Sequence, residues 1–556
     1  MITQIVLPIV ATLCAYFVLH ASQILYRNLS SPLRRILPGP PIPHYVLGNF
    51  KEMAEDARLS SKWRAVYGKN YLFHGLFSIS ELYTGDLKAL THIIAHPEIY
   101  QRPPASRDAS RRLMGEGILF AEAEQHKRHR RVMNPAFGPS QIRAVTEIFV
   151  EKAAQLRDIW AKQTHQQGEN GSLDVFASLR KMTLDVIGRA GFGYDFNALN
   201  PTGHTNELNQ AFTDLLHSPH SNIFSMIRLA QGTIPVLKLL PLPGARLVQS
   251  AHRRMMKIGG KIVHESKAAI LATGNEDDAN EKDALTMLSR QRDLLSTLLK
   301  ANMAPGLTER QRLDEEEVIS QIPAFFVAGN ETVAAATAWA LHLLSRHQSI
   351  QDQLRAEVTA TATDSPTLDE LNRLPFLEKV VRETLRLHAP ALFMQRTAMT
   401  DDVLPLERPV VDAAGAEHWS LPIVKGQTVH LPIWGVNTDV DIWGADALEF
   451  RPDRWDDIPK ATSGIPGIWG NQFTFLGGQH NCIGFRFALA ELKVLLFILT
   501  RAFTYAPAVP EGGIEPLTGG TLQRPAVLRP QQQRKGRVAS LPLRLSLVQN
   551  AQLDDY

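Results

Sequence analysis

The sequence predicts a mainly α-helical protein with small β-sheets, set behind a single N-terminal membrane-spanning helix. Three observations lead there. Apolar residues recur at helical spacing over long stretches such as Ile142 to Leu156 and Leu294 to Leu299. Strand-like alternation is sparse, clearest in Leu541 to Val548 and present again in Gln427 to Pro432. The chain also opens on an apolar run, Ile2 to Leu19, that carries no charged residue.

That run, at 1.5 Å per helical residue, spans roughly 27 Å, which suits the thin bilayer of the endoplasmic reticulum. A cleaved signal peptide is the other reading of such a start. No Lys or Arg precedes the run, however, and it is long for a signal peptide's apolar core. Arg27, Arg34 and Arg35 follow with no acid before Glu52, so a single-pass orientation with the rest of the chain in the cytosol is expected. Pro38 to Pro43 resists helix and stiffens the exit. The chain thus divides into an anchor at 1–22, a basic and proline-rich hinge at 23–45, and one large domain at 46–556.

Length alone allows roughly three or four domains, yet no Gly/Ser linker, charge block or internal repeat divides residues 46–556. With 44% hydrophobic and 21% charged residues the chain can bury a large core. With a net charge of +3 and no basic patch interleaved with aromatics, nothing points to nucleic acid. Two cysteines make no disulfide framework, and Cys14 lies in the apolar run, so the main domain faces a reducing compartment.

Along the domain, the stretch 234–248 is apolar and broken by prolines, which fits a buried connector and a membrane-dipping lid equally. Ile319 to Leu344 is long and apolar enough for a second span, but Asn330, Glu331 and Thr332 sit at its middle. An acid at mid-bilayer costs about 2.5 to 3.5 kcal/mol on insertion scales, so a helix buried in the protein with a polar break is expected. Ala506 to Arg537, rich in Pro, Gly and Gln, reads as loop.

Cys482 is the one cysteine outside the apolar run, and it stands in a glycine-rich turn, Phe475-Leu-Gly-Gly-Gln-His-Asn-Cys-Ile-Gly484. A single thiolate can hold haem iron, because the porphyrin supplies the in-plane ligands, whereas zinc or iron-sulfur sites need several Cys or His. Gly477 and Gly478 allow the backbone to approach a flat macrocycle. Cys482 is expected to open a helix through Phe487, Leu489, Leu492 and Leu495, whose N-terminus favours the thiolate. Amides near Ile483 and Gly484 could donate to the sulfur, and His480 to a haem propionate. The residues alone leave a second reading, a small buried hydrophobe.

The pattern Phe-x-x-Gly-x-x-x-Cys-x-Gly, filled by Phe475, Gly478, Cys482 and Gly484, resembles the haem signature of the cytochrome P450 family. Further segments follow in the family's order, so the resemblance covers nearly the whole chain. It implies the cytochrome P450 fold, haem b with Cys482 as axial thiolate, and a haem-thiolate catalytic domain over 46–556. Ala328-Gly-Asn-Glu-Thr332 is similar to the oxygen-activating helix. There Gly329 would give room beside oxygen, Thr332 the water-ordering hydroxyl and Glu331 an acid able to relay protons. Val333 stands where the family usually has Thr or Ser.

Glu383 and Arg386, three apart on a helix, can pair on one face, and Arg454 within Phe450-Arg-Pro-Asp-Arg-Trp455 resembles the arginine that completes a buried triad. The same Glu-x-x-Arg spacing at Glu55/Arg58, Glu309/Arg312 and Glu370/Arg373 is expected on surface helices. His126, where the family usually has Trp, and Arg130 share a helical face as propionate binders, joined by Arg396. Ala391 to Met394, with residues between Ala105 and Phe120, would line a hydrophobic pocket.

By this resemblance the chain is a monooxygenase that inserts one atom of O2 into a lipophilic small molecule, such as a terpenoid secondary metabolite. No dinucleotide fingerprint or flavin domain is evident, so electrons would come from a separate NADPH-dependent cytochrome P450 reductase on the same endoplasmic reticulum membrane. Two alternatives stand beside it: a haem-thiolate isomerase or dehydratase that works without O2, and a non-catalytic haem-binding membrane protein.

Overall fold

A computed structural model describes residues 2–56, 58–168, 171–200, 245–272, 292–528 and 538–548. Its core is helical because the long amphipathic segments bury their apolar stripes against one another. The helix Pro139–Gln167 buries Ile142, Val145, Phe149, Ala153, Leu156 and Trp160 at successive three- and four-residue steps. Opposite it lies Phe485–Ala502, and the Phe149 and Phe487 rings meet edge to face at 4.7 Å.

The stretch read as a helix with a polar break is Gln321–Gly329 followed by Glu331–Arg346, joined at Asn330. Residues Gln321 to Phe326 and Val333 to Leu341 are buried within the protein core, which accounts for their hydropathy without a membrane.

Twelve short strands are described: β1 (Asn70–His74), β2 (Ser80–Thr84), β3 (Tyr100–Gln101), β4 (Leu173–Asp174), β5 (Met394–Ala398), β6 (Asp402–Val411), β7 (Glu417–Ile423), β8 (Thr428–Leu431), β9 (Phe503–Pro507), β10 (Ile514–Gly519), β11 (Leu522–Val527) and β12 (Pro542–Leu547). They form a five-stranded sheet in the order β1-β2-β8-β5-β3, the trio β4-β12-β9, and the hairpins β6–β7 and β10–β11. The two expected strands are β12, with Leu543 and Leu545 buried between Arg544 and Ser546, and β8. Chain order thus yields a mainly α protein with small sheets.

Two expectations change. Ala506 to Arg537 is not loop throughout, because β10 and β11 pair with Pro516 opposite Pro525. Prolines are tolerated there since both strands of a two-stranded ribbon are edges. The hinge is helical at its start: the first helix, Ile2–Leu29, runs past residue 22, and Leu33–Ile36 adds another turn before the prolines. Asn28 docks that helix end, donating to Ser78 O at 2.5 Å and accepting from Ser80 N at 2.9 Å. Among the described residues no helix is long and apolar enough to cross a membrane, so the anchor rests on the sequence alone. The stretch 234–248 lies outside the described residues up to 244.

Candidate active site

The Phe475 to Gly484 turn folds as its glycines dictate. Cys482 N donates to Phe475 O at 2.9 Å, closing the turn. Gly478 adopts φ +64°, and a Cβ there would fall 2.4 Å from Ile94 Cγ2 and 2.8 Å from Ile94 O. At Gly477 a Cβ would fall 1.8 Å from Pro466 O, so neither position admits a side chain. The helix begins at Phe485, capped by Gly484, and not at Cys482 as expected. Cys482 therefore sits in the turn ahead of it. Burial pushes its thiol up, while the Gly484 amide and the Arg130 charge draw it back toward thiolate. Phe475 packs between Trp469 and Phe485, with ring centroids at 5.6 and 6.0 Å.

Although surrounded by protein, Cys482 is exposed. So is Ala328, in a helix whose preceding residues to Phe326 are buried. Gly329 is not open in the same way: a Cβ on it would meet Ile187 Cδ1 at 2.8 Å, so it packs closely against the helix Val175–Phe192. Ala328 is the small exposed residue instead.

At the helix break, Thr183 donates to Asn330 Oδ1 at 2.7 Å, and the Thr332 hydroxyl donates to Ala328 O at 2.6 Å. Thr332 thus keeps its lone pairs for a further partner. Glu331 is 5% exposed and held on both sides. Arg524 Nε donates to its Oε2 at 2.7 Å, and Arg180 Nε lies 2.7 Å from Oε1. The acid expected to relay protons is therefore an ion-paired carboxylate that ties the central helix to β11.

The expected propionate residues come together. His126 and His480 place their ring centroids 4.0 Å apart. Arg130 donates to Asn481 Oδ1 at 2.6 Å and Gln479 O at 3.3 Å, and so braces the cysteine turn. Arg396 is buried on β5 and donates to Gln395 O at 2.8 Å, and burial lowers its guanidinium to about 10. Sequence reasoning missed two members, Arg102 and Glu122. Arg102 Nη1 donates to Glu122 Oε1 at 2.8 Å. His480 Nε2 is 3.0 Å from Glu122 Oε2, within ion-pairing reach but off the line of a hydrogen bond. The only signal for Glu122 is an acid four residues before His126, at the helix N-cap.

Haem fits this donor set. Among the described residues no group of three or more His, Cys, Asp or Glu could hold a metal ion. A lone exposed thiol thus suits a metal that brings its other ligands in a macrocycle. Beside it, the buried His126 Nδ1 and both His480 ring nitrogens have no hydrogen-bond partner, as groups aimed at propionates require.

Beneath the turn lies the triad, as expected. Glu383 and Arg386 are fully buried, with Nε to Oε2 and Nη2 to Oε1 both at 2.8 Å. Arg454 Nε donates to Glu383 Oε1 at 3.2 Å, and the Arg451 amide and Trp455 indole add bonds at 3.1 and 3.2 Å. Arg386 also reaches Asn437 O and Ala447 O, so the triad ties the helix Pro375–Leu387 to the segment leading into the turn.

Comparison with known proteins agrees with this geometry. The sequence model of the family described as Cytochrome P450 matches residues 38–530. Cytochrome P450 monooxygenase 128 of Postia placenta is 43% identical over 93% of this chain and 94% of its own. Cytochrome P450 monooxygenase 205 of the same fungus is 46% identical over 86% and 88%. Ganoderic acid synthetase of Ganoderma lucidum is 33% identical over 85% and 88%.

Proposed function

The chain belongs to the cytochrome P450 family and is a haem-thiolate monooxygenase, and we propose that it oxygenates a lipophilic secondary metabolite such as a terpenoid at the endoplasmic reticulum. The observation that carries the reading is Cys482, an exposed thiol in the glycine-rich turn with the half-buried Arg130 acting on it. Haem, when bound, supplies iron that binds and activates O2, with the thiolate pushing electron density toward it.

The rest is the work of this chain's side chains. Cys482 binds the iron as thiolate, helped by the Gly484 amide and Arg130. Arg102, Arg130, Arg396, His126 and His480 bind and orient the propionates. Thr332 orders water with the lone pairs its bond to Ala328 leaves open. Glu331 is the acid nearest in sequence and delivers protons on release from Arg180 or Arg524. Leu392, Phe393 and Met394 supply an apolar wall that keeps bulk water from the substrate.

The substrate class is supported by that wall and by the relative named for ganoderic acid. The apolar run Ile2 to Leu19 supports a single-pass anchor at 1–22 with the catalytic domain facing the cytosol. Electrons come from an NADPH-dependent reductase on the same membrane. Incubation of the anchored protein with reductase, NADPH and terpenoids, followed by mass spectrometry, tests this. A product heavier by one oxygen atom, labelled from 18O2, is expected. Turnover without O2 or reductant would overturn the reading in favour of an isomerase or dehydratase.

A further inference from the structure

The wall beside Cys482 contains one acid among its cations. Arg102, Arg130, Arg396, His126, His480 and Glu122 act on one another electrostatically, so they form one cluster. Against the burial that would raise it, His480 and Arg102 hold the Glu122 carboxyl at about 2, so it is ionised. Glu122 is thus the one carboxylate set among the three guanidiniums of this cluster.

A buried excess of either sign is costly, because little solvent is present to screen it. Glu122 also fixes its neighbours: it accepts from Arg102 through both the backbone amide, at 3.2 Å, and Nη1, at 2.8 Å, and stands 3.0 Å from His480.

Resting on the haem reading above, we propose that Glu122 is a positioning residue that offsets one positive charge of this wall and keeps Arg102 and His480 facing the propionates. Its removal would leave one more uncompensated positive charge in this wall. That surplus stabilises the more negative, ferrous state.

The test measures the ferric/ferrous midpoint potential and the rate of haem transfer to excess apomyoglobin in the full-length holoprotein. Glu122→Gln should raise the midpoint and release haem no faster than the parent. Arg102→Gln should lower the midpoint and release haem several-fold faster, and Glu122→Asp, which keeps the charge, should stay near the parental midpoint. A purely structural Glu122 would loosen haem in Glu122→Gln and Arg102→Gln alike without opposite shifts, and that result overturns the proposal. If Glu122→Gln does not fold, an Arg102→Gln midpoint at the parental value overturns it, and a lowered one with a parental Glu122→Asp supports it. A parent protein that binds no haem would instead defeat the reading beneath, before any variant is made.

Discussion

Glu383→Ala strands two buried cations at once. Arg386 loses both of its 2.8 Å carboxylate bonds, and Arg454, 6% exposed, loses its bond at 3.2 Å. No water reaches Arg386 to replace them, since its side chain is fully buried. Removing one partner of a buried pair costs about 3 to 5 kcal/mol, against about 0 to 1 kcal/mol for a surface pair. At 1.4 kcal/mol per tenfold, the folded state loses population roughly a hundred- to a few thousand-fold. Arg386 also holds Asn437 O and Ala447 O, so the loss should reach the cysteine turn. The assay is thermal loss of thiolate-ligated haem absorbance at matched scan rates, because a protein this large unfolds irreversibly. Glu309→Ala, an exposed member of another Glu-x-x-Arg pair, is the control. If Glu383→Ala melts with the parent and the control, the triad is not what holds the turn.

Gly478→Ala should cost roughly 1 to 3 kcal/mol from its positive φ alone, and more from the clash with Ile94, read as lower haem retention on purification. Glu331→Gln should slow reductase-driven product formation by about 10²-fold or more if that acid supplies the proton; an unchanged rate removes it from the proton path. Glu491 is fully buried on the helix Phe485–Ala502, with neither carboxyl oxygen hydrogen-bonded, and burial raises its pKa well above normal. The fold accommodates its protonated form. Its contribution is therefore fully present below the ordinary carboxylate range and is lost as pH rises toward the raised value. Glu491→Gln should accordingly melt higher than the parent at pH 8 and lose that advantage at pH 4; a pH-independent difference would contradict this.

What could be read from the sequence was local. The Phe475 to Gly484 turn declares itself because two adjacent glycines and a lone cysteine lie within ten residues. The polar break at Asn330 stands out from an apolar run, and Glu383 with Arg386 follows from helical spacing. What escaped depends on chain-distant partners. Glu122 meets Arg102 and His480 only once three elements converge, and nothing near Glu331 announces Arg180 or Arg524, 151 and 193 positions away by number. Gly329 was assigned to the oxygen side because small residues say nothing of which neighbour needs the room, and that neighbour is Ile187. The β10–β11 hairpin was hidden by prolines that suit an edge.

The central claim is that Cys482, and no other side chain, ligates haem iron. The absorbance spectrum of the reduced, carbon-monoxide-bound protein tests it most directly. The parent should show the red-shifted Soret band of thiolate ligation, and Cys482→Ser should lose it. A parent without that band, or a Cys482→Ser protein that keeps it, would contradict the account.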